Sequence, residues 1–146
     1  MFKWVPALLA ACVLAAGCSS TDSATAVPTQ PTSFADPTTV DTFTGTLTIA
    51  GTDSHPFAVP VAGVVNITLT SMDPAIDSTT PVVLAIGLPS QSVVGQCATI
   101  QSVSVIPGTT PQITGHALSG TFCVSVSDPN VVLTASEAYT VTVAHP

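Results

Sequence analysis

Residues 42–49 read TFTGTLTI, and this stretch decides the fold. Every second position is threonine, and the positions between them are Phe43, Gly45, Leu47 and Ile49. Apolar residues at every second position are typical of a β-strand that buries one face. We therefore predict a half-buried strand whose outer face is lined with threonine.

The same alternation predicts six further strands, near residues 57–61, 65–69, 98–105, 112–118, 122–126 and 139–143. An unbroken apolar run at 82–88 is short for a helix and predicts a buried central strand. Pro56 and Pro60 have no amide proton to donate, so the strand at 57–61 is expected at a sheet edge. About eight short strands predict an all-β domain, either a sandwich or a barrel.

Turn and loop residues separate the predicted strands. Residues 51–54 (GTDS) and 128–130 (DPN) predict turns, the second with proline at its second position. Residues 72–81 predict a loop that contains Asp73 and Asp77. These two carboxylates leave weak calcium binding open as an alternative to simple solvation of the loop.

Charge excludes two classes of partner. The chain of 146 residues has one basic side chain, Lys3, against eight acidic ones. Neutralising phosphate requires Lys and Arg, so we exclude nucleic acid and electrostatic attraction to anionic lipid head groups. The outer faces of helical proteins usually mix Glu with Lys, which this composition does not allow.

The N-terminus has the pattern of an export signal. Lys3 precedes an apolar run at 4–16, and this run is shorter than the roughly 20 residues that span a bilayer as a helix. It closes on LAAGCSS at 14–20, which resembles the bacterial lipobox: small residues, Gly17 directly before Cys18, then serines. The resemblance implies removal of residues 1–17 and acylation of Cys18 with palmitate-type chains. Ala15 stands where that family prefers a large aliphatic residue, and an ordinary cleaved secretory signal is the alternative.

Residues 18–41 are rich in Ser, Thr and Pro and have few apolar side chains. Such a segment cannot bury enough surface to order itself, so we predict a disordered, lipidated tether followed by a β-sandwich domain at 42–146. The expected location is the cell envelope, with lipid on Cys18 holding the protein to a membrane, the outer membrane where the source has one.

Two cysteines remain for the folded domain. Cys12 lies in the predicted signal and Cys18 is assigned to lipid, which leaves Cys97 and Cys123. A single remaining pair in an exported chain predicts a disulfide, with two unpaired thiols as the alternative. Alternation places Cys123 opposite the apolar face of its strand, and a loop at 89–95 is expected to fold Cys97 across that face.

The order of the predicted elements resembles the bacterial pre-peptidase C-terminal domain. The matching phrases are FxGxL at 43–47, DSHPFxV at 53–59, GVVxIxL at 63–69, GTFCV at 120–124 and YxVxV at 139–143. The resemblance implies a jelly-roll-like antiparallel β-sandwich that serves as a non-catalytic accessory module, a class with some carbohydrate- and collagen-binding relatives. The family usually has Tyr where Phe122 stands and usually follows an enzyme domain, so a role in protease processing is not carried over.

No catalytic, metal or cofactor site is predicted. The candidate bases or ligands are His55, His116 and His145, and only His55 has an acidic neighbour at short spacing, Asp53. We interpret Asp53 and His55 as turn-capping residues rather than zinc ligands. His145, the penultimate residue, is expected to fray. Neither a Gly-x-Ser-x-Gly elbow nor a separated carboxylate pair is present.

Two functions remain open. The first is a surface binding or adhesion module with a glycan or protein ligand. The second is a structural envelope component without a dedicated ligand. The mature chain offers five aromatic residues, four of them at core-pattern positions, which argues mildly against a platform for stacking sugars: Phe34, Phe43, Phe57, Phe122 and Tyr139.

Overall fold

The computed structural model describes residues 33–76 and 81–146. This part of the chain contains eight strands and no helix. They are β1 (Thr39–Leu47), β2 (Thr52–Val59), β3 (Gly63–Asp73), β4 (Val82–Pro89), β5 (Cys97–Val105), β6 (Ile113–Ala117), β7 (Gly120–Ser127) and β8 (Glu137–His145). The predicted all-β class is therefore confirmed.

The strands form two four-stranded antiparallel sheets that pack face to face. The first sheet has the order β1-β8-β3-β6 and the second has the order β2-β7-β4-β5. This is the strand order of a jelly roll, in which the chain crosses between sheets at nearly every connection. The predicted positions of two strands are confirmed: β2 lies at an edge, and β4 lies inside the second sheet.

The core lies between the sheets and consists of the alternate apolar residues that defined the sequence pattern. Its fully buried members come from both sheets: Leu47, Ile67, Leu69, Val141 and Val143 from the first, with Val59, Val82, Leu84, Val124 and Val126 from the second. In β1 the threonines at 42, 44 and 46 are exposed, as predicted.

The first strand is shifted relative to its predicted bounds. It begins at Thr39, inside the predicted tether, and ends at Leu47, so Ile49 is exposed in a turn. In this turn the Gly51 amide donates to the Thr48 carbonyl at 2.8 Å and Ala50 has φ +55°. The prediction of a turn at 51–54 was therefore wrong, because the chain reverses earlier and β2 already begins at Thr52.

The prediction that His145 frays was also wrong. His145 is 4% exposed and pairs with Thr39 of β1. Its Nε2 lies 3.1 Å from Asp41 Oδ2. The reason is topological: β8 lies between β1 and β3, so even its last residue has a neighbour on one side.

Two predictions fall outside the described residues. The signal and lipidation at Cys18 lie in 1–32, and Asp77 lies in 77–80. Over the ranges 33–76 and 81–146, no helix is both long and apolar enough to cross a membrane.

Candidate functional site

Cys97 and Cys123 form the predicted disulfide. Cys97 opens β5 and Cys123 lies in β7, with β4 between these strands in the sheet. Strands two places apart are separated by about 9.6 Å, yet the two Cα atoms are 5.8 Å apart. The chain at Cys97 therefore leaves the plane of the sheet and folds back over the end of β4, as the sequence suggested.

This fold-back borders a groove on the outer face of the second sheet, which we call the hydroxyl groove. Its volume is about 360 Å³, and its lining includes Thr52, Ser54, Thr99, Ser102, Ser125 and Ser127. Val83 and Ala85 of β4 form its floor, and Gly95 and Gln96 border it from the loop before β5. Among the residues that the structure describes, no charged side chain lines the groove, so it offers hydrogen bonds to an uncharged polar ligand.

The outer face of the first sheet differs. Thr44, Thr46, Ser71 and Thr140 line a shallower depression of about 410 Å³, together with Asp73. We call this surface the threonine face. Over the ranges 33–76 and 81–146, no loop residue lines it, so these residues would hold a ligand there from one side only.

Asp53, His55 and Tyr139 meet where β2 approaches the first sheet. The Tyr139 hydroxyl donates to Asp53 Oδ2 at 2.7 Å. His55 Nε2 lies 2.7 Å from the same hydroxyl oxygen. Because the single hydroxyl proton is already used, Nε2 must carry the proton that it donates to Tyr139. The turn-capping interpretation of Asp53 and His55 was thus wrong, since both lie in β2 and bind a residue of β8.

Gly45 makes room for this network. A Cβ atom at Gly45 would lie 2.7 Å from the Tyr139 hydroxyl and closer still to Asp53 Oδ2. Phe43 covers the network from the same strand by stacking on His55, with ring centroids 5.1 Å apart. On its inner face β1 therefore places an aromatic ring, Phe43, against His55, and two residues later the missing side chain of Gly45 leaves space for Tyr139 and Asp53.

The chemistry of this network suits a structural contact between β2 and β8. Burial raises the pKa of the Tyr139 hydroxyl, and the hydrogen bond to Asp53 and the negative charge of Asp53 raise it further. Tyr139 is 2% exposed, so it lies inside the domain. A tyrosine that holds its proton so firmly is a donor, not a general base.

The other histidines are apart from this network. His116 stacks on Phe34, with ring centroids 4.2 Å apart, and so covers the chain just before β1. Ala35 bridges to Gly63 at the same corner. Within 33–76 and 81–146, His, Cys, Asp and Glu side chains form no group of three or more that could hold a metal ion.

Asp128 is a capping residue that sequence reasoning missed. The predicted turn at 128–130 is confirmed, but its aspartate is 1% exposed. Its carboxylate accepts from the backbone amides of Ala50, Val132 and Leu133. The Asp-Pro pair signals a turn, but nothing local signals the bond to Ala50, 78 residues away.

Glu137 lies near this cap and is buried at the start of β8. Burial raises the pKa of its carboxyl, and the charges of Asp128 and Asp73 raise it further. Among the described residues, its buried Oε2 has no hydrogen-bond partner. This end of the sandwich therefore concentrates negative charge that no Lys or Arg of the domain offsets.

Neither the protein-family models nor the curated proteins compared with this sequence match it. The resemblance to the pre-peptidase C-terminal domain stays a prediction that rests on the order of the strand phrases.

Proposed function

We propose that this chain is a non-catalytic lipoprotein of the bacterial cell envelope whose β-sandwich serves as a surface binding module. Lipid on Cys18 would hold it to the membrane. The observation that carries the binding role is the hydroxyl groove, since it is concave and is bordered by a disulfide-tethered loop. A covalently fastened loop reduces the entropy lost when a ligand is bound.

The lining indicates the class of ligand. Serine and threonine hydroxyls donate and accept hydrogen bonds, and the described lining residues carry no charge to attract an ion. The described aromatic side chains pack in or against the core or stack on His116, and none lines the groove. We therefore favour an uncharged, extended ligand bound by hydrogen bonds, a neutral glycan or a peptide strand, rather than a sugar held by stacking.

Attachment is tested with C18A. The full-length protein should fractionate with membranes, and C18A should appear in the soluble fraction because stable anchoring needs the acyl chains. Membrane association of C18A equal to that of the wild type would contradict lipid anchoring.

Binding is tested by calorimetry with uncharged oligosaccharides and uncharged peptides as probes. S127W fills the hydroxyl groove, and T140W places the same bulk on the threonine face at a similarly half-buried position. We expect S127W to abolish binding and T140W to retain it. Equal loss in both variants contradicts the groove as the site. Absence of binding by the wild type to every probe favours a structural envelope component.

A further inference from the structure

Charged side chains are confined to one part of this fold. Residues 78–127 contain no Asp, Glu, Lys or Arg, and they supply all of β4, β5, β6 and β7. The described acidic residues lie before β1, on the other four strands and after β7: Asp36, Asp41, Asp53, Asp73, Asp128 and Glu137. Because charged side chains are depleted at the centres of protein interfaces, the uncharged strands are where a protein partner would fit.

Among the four edge strands, β5 is the one without protection. β1 and β2 contact each other along one side of the sandwich, and β2 carries Pro56. β6 is five residues long, whereas β5 has nine residues, neither proline nor charge, and a mostly exposed surface. Folded proteins usually protect edges with charge, proline or short length, because an open edge pairs with another strand.

A bulge limits the open edge to its second half. Gly87 pairs with Thr99 and Ile86 pairs with Gln101, which leaves Ile100 as an extra residue on β5. A bulge disturbs pairing at its own position. Residues 101–105 pair one to one with β4, and no other strand of the described part of the chain pairs with them, so their outer edge is regular and unpaired there.

We propose that β5 pairs with β5 of a second copy of this chain, antiparallel and around a two-fold axis at Val103. The two second sheets would then form one continuous eight-stranded sheet. In this register Val103 meets its own equivalent and Ser102 lies opposite Ser104 of the second copy. Hydroxyl pairs across strands are favourable, and no like charges meet.

The same register explains two exposed isoleucines. Ile100 is 65% exposed and Ile106 is 41% exposed, and they flank the regular segment on either side. Rotation about Val103 brings Ile100 of each copy beside Ile106 of the other, just beyond the two ends of the paired segment 101–105, so pairing would cover both side chains in part. A strand from an unrelated protein would have no reason to match these two positions, which is why we assign the edge to a second copy.

Sedimentation equilibrium of the chain carrying C18S tests this proposal, because that substitution removes the acylation site and leaves residues 33–146 unchanged. We expect a monomer–dimer equilibrium. S102K/S104K places lysine opposite lysine across the axis and should raise the dimer dissociation constant at least tenfold. The matched control T44K/T114K adds the same charge to the edges β1 and β6 and should leave the constant nearly unchanged.

I100S/I106S gives a second, independent readout. Both side chains are exposed, so circular dichroism and the melting temperature should show an intact fold. We expect weaker dimerisation than in the wild type. A C18S chain with no further substitution that stays monomeric up to about 1 mM overturns the proposal. A dimer that responds equally to S102K/S104K and T44K/T114K, or not at all to I100S/I106S, overturns it as well.

Discussion

Where β2 approaches the first sheet, the sandwich is joined through hydrogen bonds among Asp53, His55 and Tyr139, whereas the opposite side, between β5 and β6, is open. A cleft of about 100 Å³ opens there, lined mainly by apolar side chains of both sheets, including Val65, Ile86, Ile100, Ile113 and Phe122. We call the first the closed side and the second the open side. The two strands that border the open side, β5 and β6, contain no acidic residue.

The two sides are held by different chemistry. The closed side depends on donors and acceptors at hydrogen-bond distance, so a displacement of about 1 Å leaves polar groups of the network unpaired. The open side depends on apolar packing, which tolerates small shifts, and on the covalent Cys97–Cys123 bond, which fastens the start of β5 to β7. Among the described residues, this arrangement leaves the outer edge of 101–105 unpaired.

The largest change in stability is expected from removing the Cys97–Cys123 disulfide of the open side. C97S/C123S releases a loop closed across 26 residues, and we expect the free energy of unfolding to fall by about 3.5 kcal/mol because the unfolded chain gains freedom. Urea unfolding of the oxidised and double-serine proteins measures the difference.

Chemical labelling provides the control for this prediction. Alkylation without prior reduction should leave both cysteines of the domain unmodified in the mass spectrum. Two labelled cysteines, or an unchanged midpoint of urea unfolding after the double substitution, would contradict the bridge in the purified protein.

The next largest change in stability is expected from adding a side chain at Gly45, where the geometry of the closed side leaves no space for one. G45A places a methyl group against the Tyr139 hydroxyl and Asp53, so the network must separate, and we expect a loss of about 2.5 kcal/mol in unfolding free energy. Thermal unfolding followed by circular dichroism measures it.

G115A is the matched control on the open side. Gly115 also lies in an edge strand, β6, but a Cβ atom there would meet nothing within 4 Å. We expect a change within about 0.5 kcal/mol. Equal destabilisation by G45A and G115A would mean that strand glycines matter here for their backbone and not for the network.

The strands could be predicted from sequence because burial of one sheet face imposes period two on side chains such as Phe43 and Leu47. Strand ends were less predictable. Gly51 marked a turn, but Ala50 is the residue with positive φ, so the reversal came one step earlier than the glycine suggested. Local propensity does not record which residue the tertiary structure forces into the left-handed region.

The candidate site could be predicted only where it depends on local alternation. Cys123 faces the outer side of its strand because Val124 faces the core, and this much follows from spacing. The bond between Asp53 and Tyr139 joins residues 86 positions apart. It requires β8 to lie beside β1 in the first sheet and β2 to lie at the edge of the second. The prolines of β2 predicted its edge position, but no local pattern specifies that β8 lies beside β1.

A smaller effect is expected from removing the central donor of the closed side. Y139F keeps the aromatic ring and deletes the hydroxyl, which leaves Asp53 and His55 without their shared partner. We expect a loss of about 1.5 kcal/mol in unfolding free energy. A double-mutant cycle with H55A separates the hydrogen bond from the packing of His55, and additive losses would contradict a direct coupling.

The smallest effect concerns the acidic end, near the Asp128 cap. Burial and the charges of Asp128 and Asp73 raise the pKa of Glu137 above its ordinary value of 4.5. The folded state therefore binds this proton more tightly than the unfolded state. The resulting stability is fully present below about pH 4.5 and is lost as pH rises through the folded-state pKa.

E137Q cannot lose a proton, so it should melt at a higher temperature than the wild type at pH 7 and at the same temperature at pH 4. D36N removes an exposed carboxylate and controls for net charge. A gain at pH 7 that is equal in E137Q and D36N would assign the effect to overall charge, and a gain in E137Q that persists at pH 4 would exclude titration of Glu137 as its cause.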